Sequence, residues 1–282
     1  MPDTILITGT PRSGTTLTCH LLNKLPNTVA LHEPMRGKDM RHGEGICAAV
    51  TAFCAEQRAS ILKAGLAITK HAGGAVPANP VGDNRTAEGY RERVVTKGEI
   101  EIDKPVDPDF TLAVKHCGSF TATLDRLVAE FPVYGLVRNP LATLASWSSV
   151  DFPIRQGRVP TAERLDRELE ATLDQIDDTL DRQLFLLDWF HERMRRYLPE
   201  ASIVRYEAVV ETGGAALAVM HPAASHLSED LDSQNLSKQY DRDHMLRLGE
   251  RLLASDGAYW KSYDRREVEN LLDDLRALPV AR

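Results

Sequence analysis

Ten residues near the start of the chain, Thr8-Gly9-Thr10-Pro11-Arg12-Ser13-Gly14-Thr15-Thr16-Leu17, have the types and spacing to hold an anion. They follow the apolar run Thr4-Ile5-Leu6-Ile7 and open a segment with Leu17, Leu21, Leu22 and Leu25 at helical spacing. A strand, a glycine-bearing turn and a helix N-terminus together aim backbone N–H groups at one point, where the helix dipole also favours negative charge. The spacing Gly-x-x-x-x-Gly-x-Thr is that of a phosphate-binding P-loop, with one change. Thr15 stands where a nucleoside triphosphatase has the Lys that reaches the β- and γ-phosphates. That loss argues against ordinary Mg-ATP chemistry, while Arg12 places a cation inside the loop. The loop suits a phosphate-like donor.

The other residues able to do chemistry stand at the ends of short apolar runs. Glu33 follows Val29-Ala30-Leu31-His32, Lys115-His116 follows Phe110–Val114, and Arg138-Asn139-Pro140 follows Val133–Val137. Tyr206 closes Ser202–Tyr206, the last clear strand. Between these runs lie helical patterns over 14–25, 44–63, 120–131 and 140–149, the last with Pro140 suited to a helix start. Residues 163–197 read as one or two long charged helices with Leu165, Leu169, Leu173, Ile176 and Leu180 on one side. Residues 71–89 and 221–240 read as polar loops. Strands alternating with helices predict an α/β fold: three layers of P-loop type around a central parallel sheet, with a helical insertion after the second strand. In such sheets ligands bind beyond the carboxyl ends of the strands, where Arg12, Glu33, Lys115, Arg138 and Tyr206 would converge.

Composition bounds the partners. The 282 residues, read as one domain over 1–282 with an insertion or lid over 35–108, suffice for a sizeable core. The net charge of −7 disfavours nonspecific nucleic-acid binding while leaving room for a local basic pocket. Cys19, Cys47, Cys54 and Cys117 form no C-x-x-C pair and are expected as buried thiols, a Cys47–Cys54 bridge being the one alternative. His20, His221, His226 and His244 show no metal-ligand spacing. No apolar run is long enough for a membrane span and no leader pattern is seen, so a cytoplasmic location is expected.

At this point the chain resembles the sulfotransferases that use 3′-phosphoadenosine 5′-phosphosulfate (PAPS). Pro11-Arg12-Ser13-Gly14-Thr15-Thr16 is similar to the family's 5′-phosphosulfate loop. Arg138 at a strand end and Ser146 eight residues on resemble its 3′-phosphate site. Val204-Arg205-Tyr206-Glu207 resembles its Arg-Tyr-Glu segment, and Gly257-Ala258-Tyr259-Trp260 is a looser echo of its C-terminal region. The Arg form of the loop is closest to bacterial and Golgi-type members similar to the tyrosylprotein and carbohydrate enzymes. The resemblance implies Glu33 as the base, with His116 second. It implies Arg12 as the cation on the bridging oxygen and Lys115 as support for the donor. Cys117 falls where the Lys-x-His enzymes have their His. It further implies PAPS as co-substrate, adenosine 3′,5′-bisphosphate as product, no metal requirement and a small-molecule or glycan alcohol as acceptor. An ATP-using P-loop kinase and a non-catalytic nucleotide-binding module are the alternatives.

Several assignments stay open on the residues alone. Glu33 could instead pair with Arg36, and Arg138 with the acidic stretch 166–181. Lys115 could be a solvated strand end, Tyr206 a core ring or an adenine contact, and Lys238 a surface residue or a phosphate contact.

Overall fold

The computed structural model describes residues 4–37, 39, 40 and 45–278. Five strands form one parallel sheet: β1 (Thr4–Gly9), β2 (Thr28–His32), then β7 (Thr111–Lys115), β8 (Val133–Val137) and β9 (Ile203–Arg205) later in the chain. Their order is β2-β7-β1-β8-β9, which puts β1 in the centre. Alternate residues point to opposite faces. Leu6, Val29, Leu31, Leu112, Val114, Val133 and Val137 enter one core, and Ile5, Ile7, Ala30, Ala113, Leu136 and Val204 the other. The continuous apolar strands therefore serve two buried faces, as the α/β expectation requires.

One face carries α1 (Thr15–Leu22) and α9 (Tyr206–Glu211). The larger face carries most of the remaining helices. These include α2 (Gly45–Ala64), the pair α3 (Gly118–Ala122) and α4 (Leu124–Leu127), and α5 (Pro140–Ser148). After them come α6 (Pro160–Glu163), α7 (Arg167–Asp174), α8 (Thr179–Tyr197), α10 (Arg242–Leu253) and α11 (Arg265–Ala277). The helix expected over 120–131 is broken at Thr123, whose hydroxyl donates to the Ser119 carbonyl at 2.9 Å. The charged stretch 163–197 divides where Asp178 caps the next helix by accepting from the Asp181 amide. The strand expected through Tyr206 stops at Arg205, and Tyr206 opens α9.

The segment after β2 carries the expected helix, though Glu44 at its expected start lies outside the described residues. It also carries two antiparallel pairs that the sequence did not indicate, and one of their strands, β4, falls within 71–89, which was expected as loop. β3 (Leu66–His71) pairs with β6 (Thr96–Glu101), and β4 (Val81–Arg85) with β5 (Arg91–Arg93). β4 reads Val-Gly-Asp-Asn-Arg, which has no apolar alternation to betray it. This segment shares its core with the main sheet through Val50, Ile61, Ala67 and Ile100. All four cysteines are free and buried, so the Cys47–Cys54 bridge is absent. Among the described residues no helix is long and apolar enough to cross a membrane.

Candidate active site

The turn after β1 is built by close approach. Gly9 has φ 149°, and a Cβ there would lie 2.4 Å from the Leu136 carbonyl oxygen. Gly14 caps α1 in the left-handed region at φ 88°, and its Cβ would lie 2.7 Å from the Tyr206 ring. Arg12, without a glycine's freedom, holds φ 72°, a strained value for a residue that carries a Cβ. The Ser13 amide closes the turn on Thr10 O at 3.1 Å, and the Ser13 hydroxyl donates to Leu136 O at 3.0 Å. The first amides of α1, from Thr15 on, have no intrahelical acceptor and lie at the positive end of the helix dipole. Trp147 Nε1 donates to Pro11 O at 2.7 Å and fixes the loop from behind.

Arg138 reaches this loop directly. Its Nη1 donates to Arg12 O at 3.1 Å. Nε donates to Asn235 Oδ1 at 2.8 Å, and Nη2 to Gln234 O at 2.6 Å and the Tyr240 hydroxyl at 3.3 Å. The Tyr206 ring lies 4.7 Å from the guanidinium carbon, and its hydroxyl accepts from the Gln234 amide. Burial opposes the Arg138 charge, but Tyr240 and Tyr206 outweigh it and hold the pKa above its ordinary value. No carboxylate of 166–181 pairs with Arg138, which corrects that alternative. The Arg12 side chain turns toward the same end: Nε donates to Ser146 Oγ at 3.2 Å and Nη2 to Asn79 Oδ1 at 3.0 Å. Burial pulls the Arg12 pKa down to about 10, still far above neutrality.

Across the sheet edge, Glu33 leaves β2 at φ 46°, its amide held by Lys115 O at 2.8 Å. Lys115 Nζ donates to Glu33 Oε1 at 3.0 Å, and Lys70 on β3 pairs with Oε2. The partners are therefore two lysines and not Arg36. Lys115 is 3% exposed, so it is no solvated strand end, whereas Glu33 is 27% exposed. Burial alone would raise the Glu33 carboxyl, but Lys115 and Lys70 overcome it and hold the pKa well below the usual range. His116 is buried, its Nε2 accepting from the Met35 amide at 3.2 Å and its ring edge-on to Phe120. Burial presses its pKa down to about 3, so its ring is neutral.

One cavity of about 710 Å³ joins both ends. It is lined by Pro11, Arg12, Gly14, Thr15 and Thr16 of the loop and by Glu33, Lys115, His116, Arg138 and Tyr206. Ser13 and Ser146 are fully buried behind it, with their hydroxyls facing Leu136 O and Arg12. Lys238 lines a separate cleft beside Tyr90 and His244. Lining residues that were not singled out from the sequence include Lys70, Asn79, Arg93, Lys97 and Tyr240. Asn79 and Tyr240 had as their sequence signal only the polar character of 71–89 and 221–240. Among the described residues no three His, Cys, Asp or Glu side chains lie together where they could hold a metal ion.

No family model and no curated protein matches the chain. Solved structures similar to it include a sulfotransferase from Alicyclobacillus acidocaldarius, at 13% identity and TM-score 0.44, covering 99% of this chain and 97% of that one. Another is the sulfotransferase STF1 from Mycobacterium tuberculosis, at 13% identity and TM-score 0.31, covering 97% of this chain and 77% of that one.

Proposed function

We propose that this chain transfers a sulfuryl group from PAPS to an acceptor hydroxyl of a small molecule or glycan. The observation that carries the reading is a single cavity lined at once by the N-terminus of α1, by Arg138, and by a carboxylate–lysine pair. The amides at the start of α1 receive the 5′-phosphate. Arg138 offers a planar fork suited to the 3′-phosphate, and Arg12, turned to the same end, adds charge there. A 3′-phosphate on Arg138 takes the place of Gln234 O and the Tyr240 hydroxyl, the neutral groups that now accept its Nη2 protons.

At the other end Glu33 accepts the proton of the acceptor hydroxyl. Lys115 stands beside it to meet the negative charge that gathers on the bridging oxygen. The bond from the acceptor oxygen to sulfur forms as the bond from sulfur to that bridging oxygen breaks, leaving adenosine 3′,5′-bisphosphate. A carboxylate gripped by two lysines is a weak base. By analogy with phosphoryl transfer, a loose transition state asks little basicity of the acceptor's partner and much positioning. Arg12 points to Ser146 and Asn79, so Lys115 is the better placed of the two cations for the bridging oxygen.

The test is transfer of label from ³⁵S-PAPS to a panel of alcohols, with and without EDTA. Transfer that persists in EDTA and falls on the order of 10²–10⁴-fold in Glu33→Gln supports the reading. Phosphoryl transfer from Mg-ATP, or bisphosphate binding with no transfer to any acceptor, overturns it in favour of a kinase or a binding module.

A further inference from the structure

The cavity wall contributed by the insertion carries more positive charge than the donor chemistry uses. Most cations on the cavity are already answered. Lys70 and Lys115 share Glu33, and Arg158 holds Glu163 and Asp174. Arg91 donates to Gly82 O and lies 3.5 Å from Asp83. Arg93 and Lys97 differ. Arg93, the last residue of β5, lies over the Phe152 ring at 4.8 Å and has no carboxylate partner among the described residues. Lys97 on β6 donates one proton to Met35 O at 2.7 Å and likewise has no carboxylate at ion-pair distance among the described residues. The whole chain is acidic, with net charge −7, so this surplus is local to the cavity. The same cavity has an apolar wall that includes Met35, Met40, Val95, Ile154 and Val159.

Two exposed cations without a carboxylate partner among the described residues, lining one cavity that also has an apolar wall, make a site for a molecule with an apolar body and an anionic group. Resting on the proposed sulfuryl transfer, we infer that the acceptor is itself an acid. It is a hydroxyl compound whose carboxylate, phosphate or sulfate group is held by Arg93 and Lys97 while its hydroxyl is presented to Glu33. Arg93 can offer a forked pair of N–H donors to such a group, and Lys97 two protons beyond the one given to Met35. The pair sets acceptor specificity and is separate from the donor contacts on the loop and Arg138.

Calorimetry separates this inference from the reading beneath it. The protein is first titrated with adenosine 3′,5′-bisphosphate; failure to bind removes the sulfuryl-transfer reading itself. The saturated protein is then titrated with 4-hydroxyphenylacetate, 12-hydroxydodecanoate and a phenyl glucuronide, each as the acid and as its methyl ester. At least one acid is expected to bind on the order of tenfold more tightly than its ester. Arg93→Gln combined with Lys97→Gln is expected to erase that preference while leaving the bisphosphate affinity within about twofold. Acids that bind no better than their esters, or a preference that survives in the double variant, overturn the inference.

Discussion

Glu33 sits between Lys115 and Lys70, which fix its protonation. Its carboxyl is held below the ordinary value of 4.5 and is therefore ionised throughout the neutral range. His116, at about 3, is neutral over the same range. The kcat/KM profile is then expected to stay flat on its acid side from about pH 8 down to about pH 5. A limb with a midpoint near 6.5 would show an unshifted histidine acting as base instead. The same linkage has a stability consequence. A depressed carboxyl contributes stability above its unfolded value and loses it as pH falls through the folded value. Glu33→Gln leaves the buried Lys115 ammonium without its counter-charge and is expected to cost about 1–3 kcal/mol, discounted because Glu33 is partly exposed. Urea denaturation should find that difference constant between about pH 6 and 8 and shrinking in acid. A difference that grows in acid contradicts the assignment of the pair.

The elements around the cavity explain which residues could be read in advance. Gly9 and Gly14 were legible because backbone geometry demands them: strand, turn and helix cap leave room for no Cβ. Arg138 was legible as the cation at a strand end, and Ser146 only through the resemblance to the sulfotransferases' 3′-phosphate site; Ser146 meets Arg12 rather than opening to the cavity. Asn79 and Tyr240 were not, since they come from polar segments with no apolar period and meet the site only through tertiary packing, and Lys70 was not because it belongs to β3, an added strand of the insertion that was not expected. Asn79 is the clearest case, because its side-chain oxygen accepts both Arg12 Nη2 and the Val81 amide and so ties the insertion to the loop. Asn79→Ala is expected to lower kcat/KM roughly fivefold through a loosened Arg12, with global stability changed by under about 1 kcal/mol. Unchanged kinetics would remove the insertion from the donor site. Gly14→Ala is expected to destabilise by about 1–3 kcal/mol and to weaken bisphosphate binding. Gly74→Ala is the control: it has the same φ of 88° but open space around it, and should cost less and leave binding alone. Equal costs for the two would mean that the Tyr206 contact is unimportant.

At the scale of the molecule, the centre of the sheet is what brings distant residues together. β1 lies between β7 and β8, so the loop after β1 meets Lys115 on one side and Arg138 on the other. The alternation of strands and helices made this α/β arrangement predictable. The antiparallel pair β4 and β5 was not, because its short polar strands carry no alternating signal. The central claim is that the cavity grips an adenosine at both its 5′ and 3′ phosphates. It is tested most directly by calorimetric titration of the protein in EDTA with adenosine 3′,5′-bisphosphate and with adenosine 5′-monophosphate. The bisphosphate is predicted to bind at least about tenfold more tightly, with the advantage lost in Arg138→Ala. Equal affinity for the two nucleotides, or an advantage that Arg138→Ala retains, would contradict it.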